Sequence, residues 1–396
     1  MRATFFTDNR RRAAEFIDGP LILSAYASMQ KSADMAASFE QEANFWWLTG
    51  IEAADWRLII DGQKSWLVSP ALSDHHAIFD GSLSADDAKS ISGVDAVINA
   101  KEAAALIAEL SLKYDTVFSL GDDPHKEHYG FVVNPSGATL YKELTKSFGN
   151  IEDCRLALAR LRAIKQPEEI TAIKKAITLT IEAFEDVKGR IATFSYEYQV
   201  EATFSYHFRN SGAKGHAYEP IVASGKNACT LHYVHNQDQL KEDELLLLDI
   251  GASVDGYPAD ITRTYQLGKP TDRQRQVHAA VESAHQEIIS LLKPGLSVVE
   301  YHEKVDEIMK QKLQDLGILN KPEDYRTYFP HAISHGLGVD VHDALGRPTE
   351  FLEGMILTVE PGIYIPEEGI GVRIEDDILI TKDGHENLSA ALPTSL

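Results

Sequence analysis

Four carboxylates in this sequence stand where acids are costly. Asp249 follows directly on the apolar run Leu245–Leu248 in ELLLLDIGASVDGYPADITRTYQLG (244–268). Asp260 lies eleven residues later in ADITRTY, whose Asp-x-Thr-x-Thr alternation reads as a strand with one polar face. Glu360 interrupts LTVEPG after Ile356, Leu357 and Val359, and Glu375 interrupts GVRIEDDILI with apolar residues on both sides. An acid at the end of a buried run needs a cation or hydrogen-bond donors to compensate it. Each has an ordinary explanation when taken singly. The aspartates could cap turns, and the glutamates could sit at an edge or in an ion pair, with Arg373 the nearest partner for Glu375. Together they outnumber the basic residues near them. A pair of divalent cations bridged by carboxylates would compensate all four.

The segment HAISHGLGVDVHD (331–343) adds three histidines at spacings of four and seven. A helix would bring His331 and His335 onto one face, but Gly336 and Gly338 argue against a continuous helix. An irregular, small-residue segment lets side chains crowd around one point. Alone it reads as a Gly-rich turn with solvated histidines. Beside four misplaced acids, it supplies an imidazole to an oxygen-rich site. Such a donor set favours Mn²⁺, with Co²⁺, Fe²⁺ or Zn²⁺ as alternatives.

The stretches LLLLDIGA, ADITRT, SHGLGVDVHD, LTVEPGIY and RIEDDI resemble, in order, the five ligand motifs of the pita-bread metallopeptidases. That group includes aminopeptidase P, prolidase and methionine aminopeptidase, and the resemblance covers roughly residues 165–385. It implies a dinuclear centre held by Asp249, Asp260, His335, Glu360 and Glu375. Asp260 and Glu375 would bridge the ions, Asp249 would chelate one, and His335 with Glu360 would complete the other. The resemblance also implies that His331 and His342 flank the reacting carbonyl. His232, in SGKNACTLHY, would face the substrate, and Glu360 would carry a proton to the leaving nitrogen. Imidazole suits such positions because it donates a hydrogen bond and titrates near neutrality. Arg347 matches an arginine that binds the substrate carboxylate in prolidases, and it occurs in aminopeptidase P as well. Tyr218 and Arg373 are the remaining expected substrate contacts.

The stretch KSADMAASFEQEANFWWLTGIEAADW (31–56) resembles the N-terminal domain of aminopeptidase P, which methionine aminopeptidases lack. The resemblance implies removal of the first residue from peptides with proline second, a bond with no N–H and a rigid ring. It also implies a homodimer or homotetramer in which this domain reaches a neighbour's site, with Asp34 and Trp46–Trp47 as candidate contacts. Trp46 and Trp47 read equally as core aromatics. The alternatives are an Xaa-Pro dipeptidase and, more distantly, a non-catalytic binding protein on the same fold. The latter predicts broken ligand motifs, and none of the five is missing.

These residues need a frame, and the pattern supplies one. In the first 150 residues, 20–27, 55–70, 95–100 and 115–121 read as strands, with an Asp61-Gly62 turn inside the second. A helical stretch at 101–114 separates two of them. Ile170, Ile173, Ile177, Ile181 and Phe184 then mark one face of a long helix begun by Pro167. Further helices are expected near 197–211, 271–292 and 298–316, and strands at 355–362 and 371–381. The fold class is therefore α/β (α+β). A mixed α/β domain over 1–152 precedes a catalytic domain over 153–396, of the pita-bread (creatinase/aminopeptidase) type by resemblance. The formal charge of −22 argues against nucleic acid or an anionic membrane as partner. Two cysteines, Cys154 and Cys229, without CxxC spacing, point to a reducing compartment. With no apolar region behind the basic N-terminus and no membrane-length apolar run, a cytoplasmic protein is expected.

Overall fold

A computed structural model describes residues 1–121, 130 and 132–396. Its contacts divide the chain into two compact units, Met1–Leu161 and Arg162–Leu396. The division falls inside the helix Arg155–Ala163, whereas the sequence pattern placed a boundary at 152/153. Among the described residues no helix is long and apolar enough to cross a membrane.

The first unit is built on a mixed six-stranded sheet in the order Ala96–Ile98, Lys64–Val68, Arg57–Asp61, Leu21–Ser24, Thr116–Ser119, Asn150–Asp153. Its central pairs are antiparallel and its outer pairs parallel. Parallel neighbours require crossovers, and the helix Ala100–Lys113, capped by an Asn99/Glu102 box, supplies one. Asp61 pairs with Lys64, so Gly62 opens a two-residue hairpin loop at φ +57°, a conformation that suits glycine. Ile22, Ile59 and Val117 meet Ala103, Leu110 and Leu144 in the core of this unit. Trp46 and Trp47 are buried within the helix Ala43–Thr49, while Asp34 is exposed at a short hairpin.

The second unit begins with the helix Pro167–Arg190, started by a Gln166/Glu169 capping box and burying Ile173, Ile177, Ile181 and Phe184. It packs against the helix Glu197–Asn210 and the strand Ala252–Val254. Two antiparallel three-stranded sheets follow. One runs Ile221–Ser224, Leu245–Ile250, Ile261–Gln266; the other runs Ile356–Val359, Asp376–Thr381, Gly384–Asn387. The hairpin Gly362–Ile365/Ile370–Arg373 lies beside them. Helices Asp272–Leu291 and Val298–Asp315 close a core with Leu357, Val359, Ile363, Val372 and Ile378.

Register is what matters for the site. Asp249 pairs with Thr262, and Thr262 bridges in turn to Glu375, so acids from distant motifs fall on neighbouring stretches of backbone. Glu360 follows Val359, whose partner is Asp376. The strand carrying Asp376 is held by Arg263, a fully buried guanidinium. Arg263 donates to the carbonyls of Thr262, Glu375, Leu392 and Pro393 and to Asp376 Oδ1 at 2.7 Å. Arg263→Met removes all five bonds and leaves Asp376 buried without its cation, a loss of about 3–5 kcal/mol. The check is the denaturation midpoint at fixed metal content, and an unchanged midpoint would contradict this role.

Candidate metal centre

The second unit contains a cavity of about 400 Å³ lined by Tyr218, His232, Asp249, Asp260, His331, His335, His342, Glu360, Arg373 and Glu375, among others. Apolar residues Ile221, Leu231, Val234 and Val341 line the remainder together with Glu219. Of its side chains five are carboxylates and one, Arg373, is a permanent cation. Ligand atoms of Asp260, His335 and Glu375 lie within 4.8 Å of one another. His335 Nε2 is 3.4 Å from Asp260 Oδ2 and 3.6 Å from Glu360 Oε1. Its Nδ1 lies 3.0 Å from the Gly336 carbonyl, an oxygen that can only accept. That bond keeps a proton on Nδ1, so when Nε2 gives up its own proton its lone pair faces the acids, the tautomer a metal ligand needs.

Electrostatics state the same need. Burial, then repulsion from Asp260, Glu360 and Asp249, pushes Glu375 well above the usual carboxylate range. Burial also raises Asp249, although Arg373 opposes it. Glu360 rises to about 7, by burial first and against the pull of His335. Burial alone would lower His335, but Asp260 and Glu360 more than offset it and raise it to about 9. Protons are thus drawn into the group because the acids lack counter-charge. The donor set, carboxylate oxygens with one imidazole, fits divalent cations of the Mn²⁺ kind, with Zn²⁺, Co²⁺ and Fe²⁺ also compatible.

The other expected residues take distinct places. His331 donates from Nδ1 to the Ala332 carbonyl at 2.7 Å, and its Nε2 is 2.9 Å from the Tyr364 hydroxyl. Arg373 donates to that hydroxyl at 3.0 Å, which completes a chain Arg373→Tyr364→His331. Burial and Arg373 lower His331 to about 3, so this imidazole is neutral. His342 is exposed, with its ring centroid 4.1 Å from that of His335. His232 is exposed at the cavity on an irregular segment.

One expectation requires correction. Arg373 does not pair with Glu375; its Nη2 meets Asp249 Oδ2 at 2.5 Å, and Nε donates to Thr262 Oγ1. The strand Ile370–Arg373 ends before Glu375, so the two-residue spacing does not put them on one face. Arg347 is exposed at φ +56° and is not among the side chains lining the cavity. Tyr218, expected to touch substrate, has its hydroxyl 2.6 Å from Asp249 Oδ1 and 2.7 Å from Asp260 Oδ1.

Several residues were not singled out from the sequence. Thr262 donates to Glu375 Oε2 at 2.6 Å, and Tyr364 links His331 to Arg373. The histidine segment is pinned by Asp343, which takes Arg162 at 2.6 Å and Lys165 at 3.1 Å, all three buried. A Cβ at Gly338 would collide with the Asp343 carboxylate, and one at Gly336 with the Asp343 carbonyl. This is why the segment needs its glycines. Only the Asp after His342 in the quoted motif could have signalled the anchor, because its partners lie far upstream.

A buried set of acids with a metal-competent imidazole defines a metalloenzyme centre, and comparison with known proteins names the class. Residues 171–382 match metallopeptidase family M24, and residues 6–118 match the aminopeptidase P N-terminal domain. The chain belongs to metallopeptidase family M24 and binds divalent metal as such enzymes do. It is 32% identical to the Xaa-Pro aminopeptidase of Escherichia coli, over 94% of this chain and 90% of that one. It is 31% identical to human Xaa-Pro aminopeptidase 3, over 96% of this chain and 80% of the relative. Among solved structures, Escherichia coli aminopeptidase P with the inhibitor Pro-Leu superposes with a TM-score of 0.85 at 29% identity. That match covers all of this chain and 96% of the other. The zinc-substituted enzyme in complex with product matches equally well, with a TM-score of 0.85.

The sign of the pH dependence follows. Glu360, Glu375 and His335 all have raised values when no metal is bound. Their protons stabilise the fold below the unfolded values, and that stability is lost as pH climbs through about 7 for Glu360 and about 9 for His335. With chelator present, Tm should therefore fall from pH 5 to 9. With saturating Mn²⁺ the fall should be much smaller, so the stabilisation by metal grows with pH. Parallel Tm curves in the two conditions would contradict the charge account.

Proposed function

We propose that this chain hydrolyses the bond between an N-terminal residue and a following proline. Two divalent cations, Mn²⁺ by preference, would be held by Asp249, Asp260, His335, Glu360 and Glu375. The observation that carries the reading is the convergence of five ligand-type side chains, from five separate motifs, in one cavity. When bound, such ions supply Lewis acidity and make water nucleophilic near neutral pH. The remaining work falls to the chain. Glu360, besides ligating, takes the proton from the attacking water and passes it to the leaving nitrogen. His342 donates a hydrogen bond where the carbonyl oxygen gains charge, and neutral His331, whose one N–H is given to the Ala332 carbonyl and whose Nε2 accepts from Tyr364, flanks that carbonyl. His232 contacts the substrate. Arg373 and Tyr218 orient Asp249 and Asp260 and also line the cavity, where substrate contact is expected of them. The apolar lining of Ile221, Leu231, Val234 and Val341 suits a proline ring, which offers no N–H to satisfy.

The expected oligomer and the cytoplasmic location belong to this proposal too. Cys154 and Cys229 are both free, with Cys154 buried, which suits a reducing compartment. With Mn²⁺, Xaa-Pro-Yaa tripeptides should be cleaved and Xaa-Ala-Yaa analogues should not. Cleavage confined to Xaa-Pro dipeptides would instead favour a dipeptidase.

Two histidine variants separate binding from chemistry. His342→Ala should lower kcat by about 10²–10³ at unchanged metal content and nearly unchanged KM. His335→Ala should lose metal affinity together with activity. If His342→Ala loses metal while His335→Ala keeps it, the pair is assigned backwards.

A further inference from the structure

The wall of the cavity that carries Leu231, His232 and Val234 has almost no regular structure of its own. Residues 224–238 join the strand Ile221–Ser224 to the approach of the strand Leu245–Ile250, with only a 3-10 turn at Gly225–Cys229. Backbone pairing therefore does little to fix where His232 stands. Something else must.

Much of that work falls to one buried carboxylate, alongside buried Asn236, which bonds Val222 and Pro220, and the packing of Ala228, Leu231 and Tyr233. Glu197, the first residue of the helix Glu197–Asn210, is 0% exposed. Its Oε1 accepts from the Ser224 backbone at 2.8 Å, the Ser224 hydroxyl at 2.8 Å and Asn227 Nδ2 at 3.1 Å. Its Oε2 accepts from the Tyr233 hydroxyl at 2.9 Å and the Asp238 backbone at 2.9 Å. These five donors come from both ends of the segment and from two points within it. Tyr233 adjoins His232. Five donors saturate the acceptor capacity of a carboxylate, and its place in the first turn of a helix stabilises the negative charge. A neutral amide of the same size could not replace it, since it would turn an NH₂ toward the donors.

We propose that Glu197 is a positioning residue for the reaction, acting through His232 by clamping residues 224–238 against the first turn of its helix. Glu197 lines no part of the cavity and touches none of the metal-ligand candidates by any hydrogen bond or ion pair among the described residues. Its influence is therefore separable from metal binding. The inference rests on the reading of His232 as a substrate contact.

The test is a double-mutant cycle on the Mn²⁺-loaded full-length protein with an Xaa-Pro-Yaa tripeptide. Glu197→Gln should lower kcat/KM about 10- to 100-fold while bound metal per chain stays at the wild-type level. In a His232→Ala background the same change should cost less than about twofold, because the residue it positions is gone. Should Glu197→Gln fold poorly, Tyr233→Phe removes one donor at the loop itself and should give a several-fold loss that also vanishes in His232→Ala. Losses that multiply in the double variant, metal lost in Glu197→Gln, or a fully active Glu197→Gln would each overturn the proposal. A His232→Ala protein with wild-type kcat/KM would sink the substrate-contact reading and the proposal with it. A defective His232→Ala beside a fully active Glu197→Gln would sink the proposal alone.

Discussion

Uncompensated negative charge is the constraint on which the second unit is built. Asp249, Asp260, Glu360 and Glu375 are brought from separate motifs into one cavity whose only permanent cation among the described residues is Arg373. Arg373 is itself committed to Asp249, with Tyr364 and Thr262 taking its other donors. The remaining acids must therefore hold protons or metal. Without metal they draw protons, as the raised values of Glu360 and His335 express. Hydrolytic function and fold stability consequently answer to the same ions.

Holding mutually repelling groups in place requires a rigid surround, and that surround is polar as much as apolar. Arg263 ties the strand bearing Asp376 to the C-terminal segment. Asp343, between Arg162 and Lys165, anchors the histidine segment, and Glu197 anchors residues 224–238. Each hub is a charged side chain buried with its hydrogen-bonding capacity engaged, the condition under which such groups specify one arrangement instead of destabilising it. Irregular segments can then carry histidines into the cavity with the accuracy of a strand.

The sequence made some of this legible for a clear reason. An acid within an apolar strand run is anomalous on its own evidence, so Asp249, Glu360 and Glu375 drew attention without any partner in view. The helix from Pro167 was readable because its apolar period and its capping residues are local. What could not be read was long-range. Arg373 lies near Glu375 in the chain, but a strand ends between them and the guanidinium turns to Asp249 on another strand. The resemblance puts Tyr218 at the substrate, but no spacing shows that its hydroxyl lies between two aspartates. Asp343 meets Arg162 across most of the second unit's length, and no spacing rule predicts that pairing. Arg347 illustrates the converse: a motif match located the residue, and only the structure shows it exposed with a left-handed backbone.

The most direct test of the central account is metal stoichiometry by equilibrium dialysis at neutral pH, on wild-type protein and on Asp260→Asn, with Mn²⁺ as the probe. The account requires about two ions per chain in the wild type, and one or none once a carboxylate shared by both positions is neutralised. Uptake should release protons, because the raised groups must give theirs up. A single ion per wild-type chain, or two ions retained by Asp260→Asn, would contradict it.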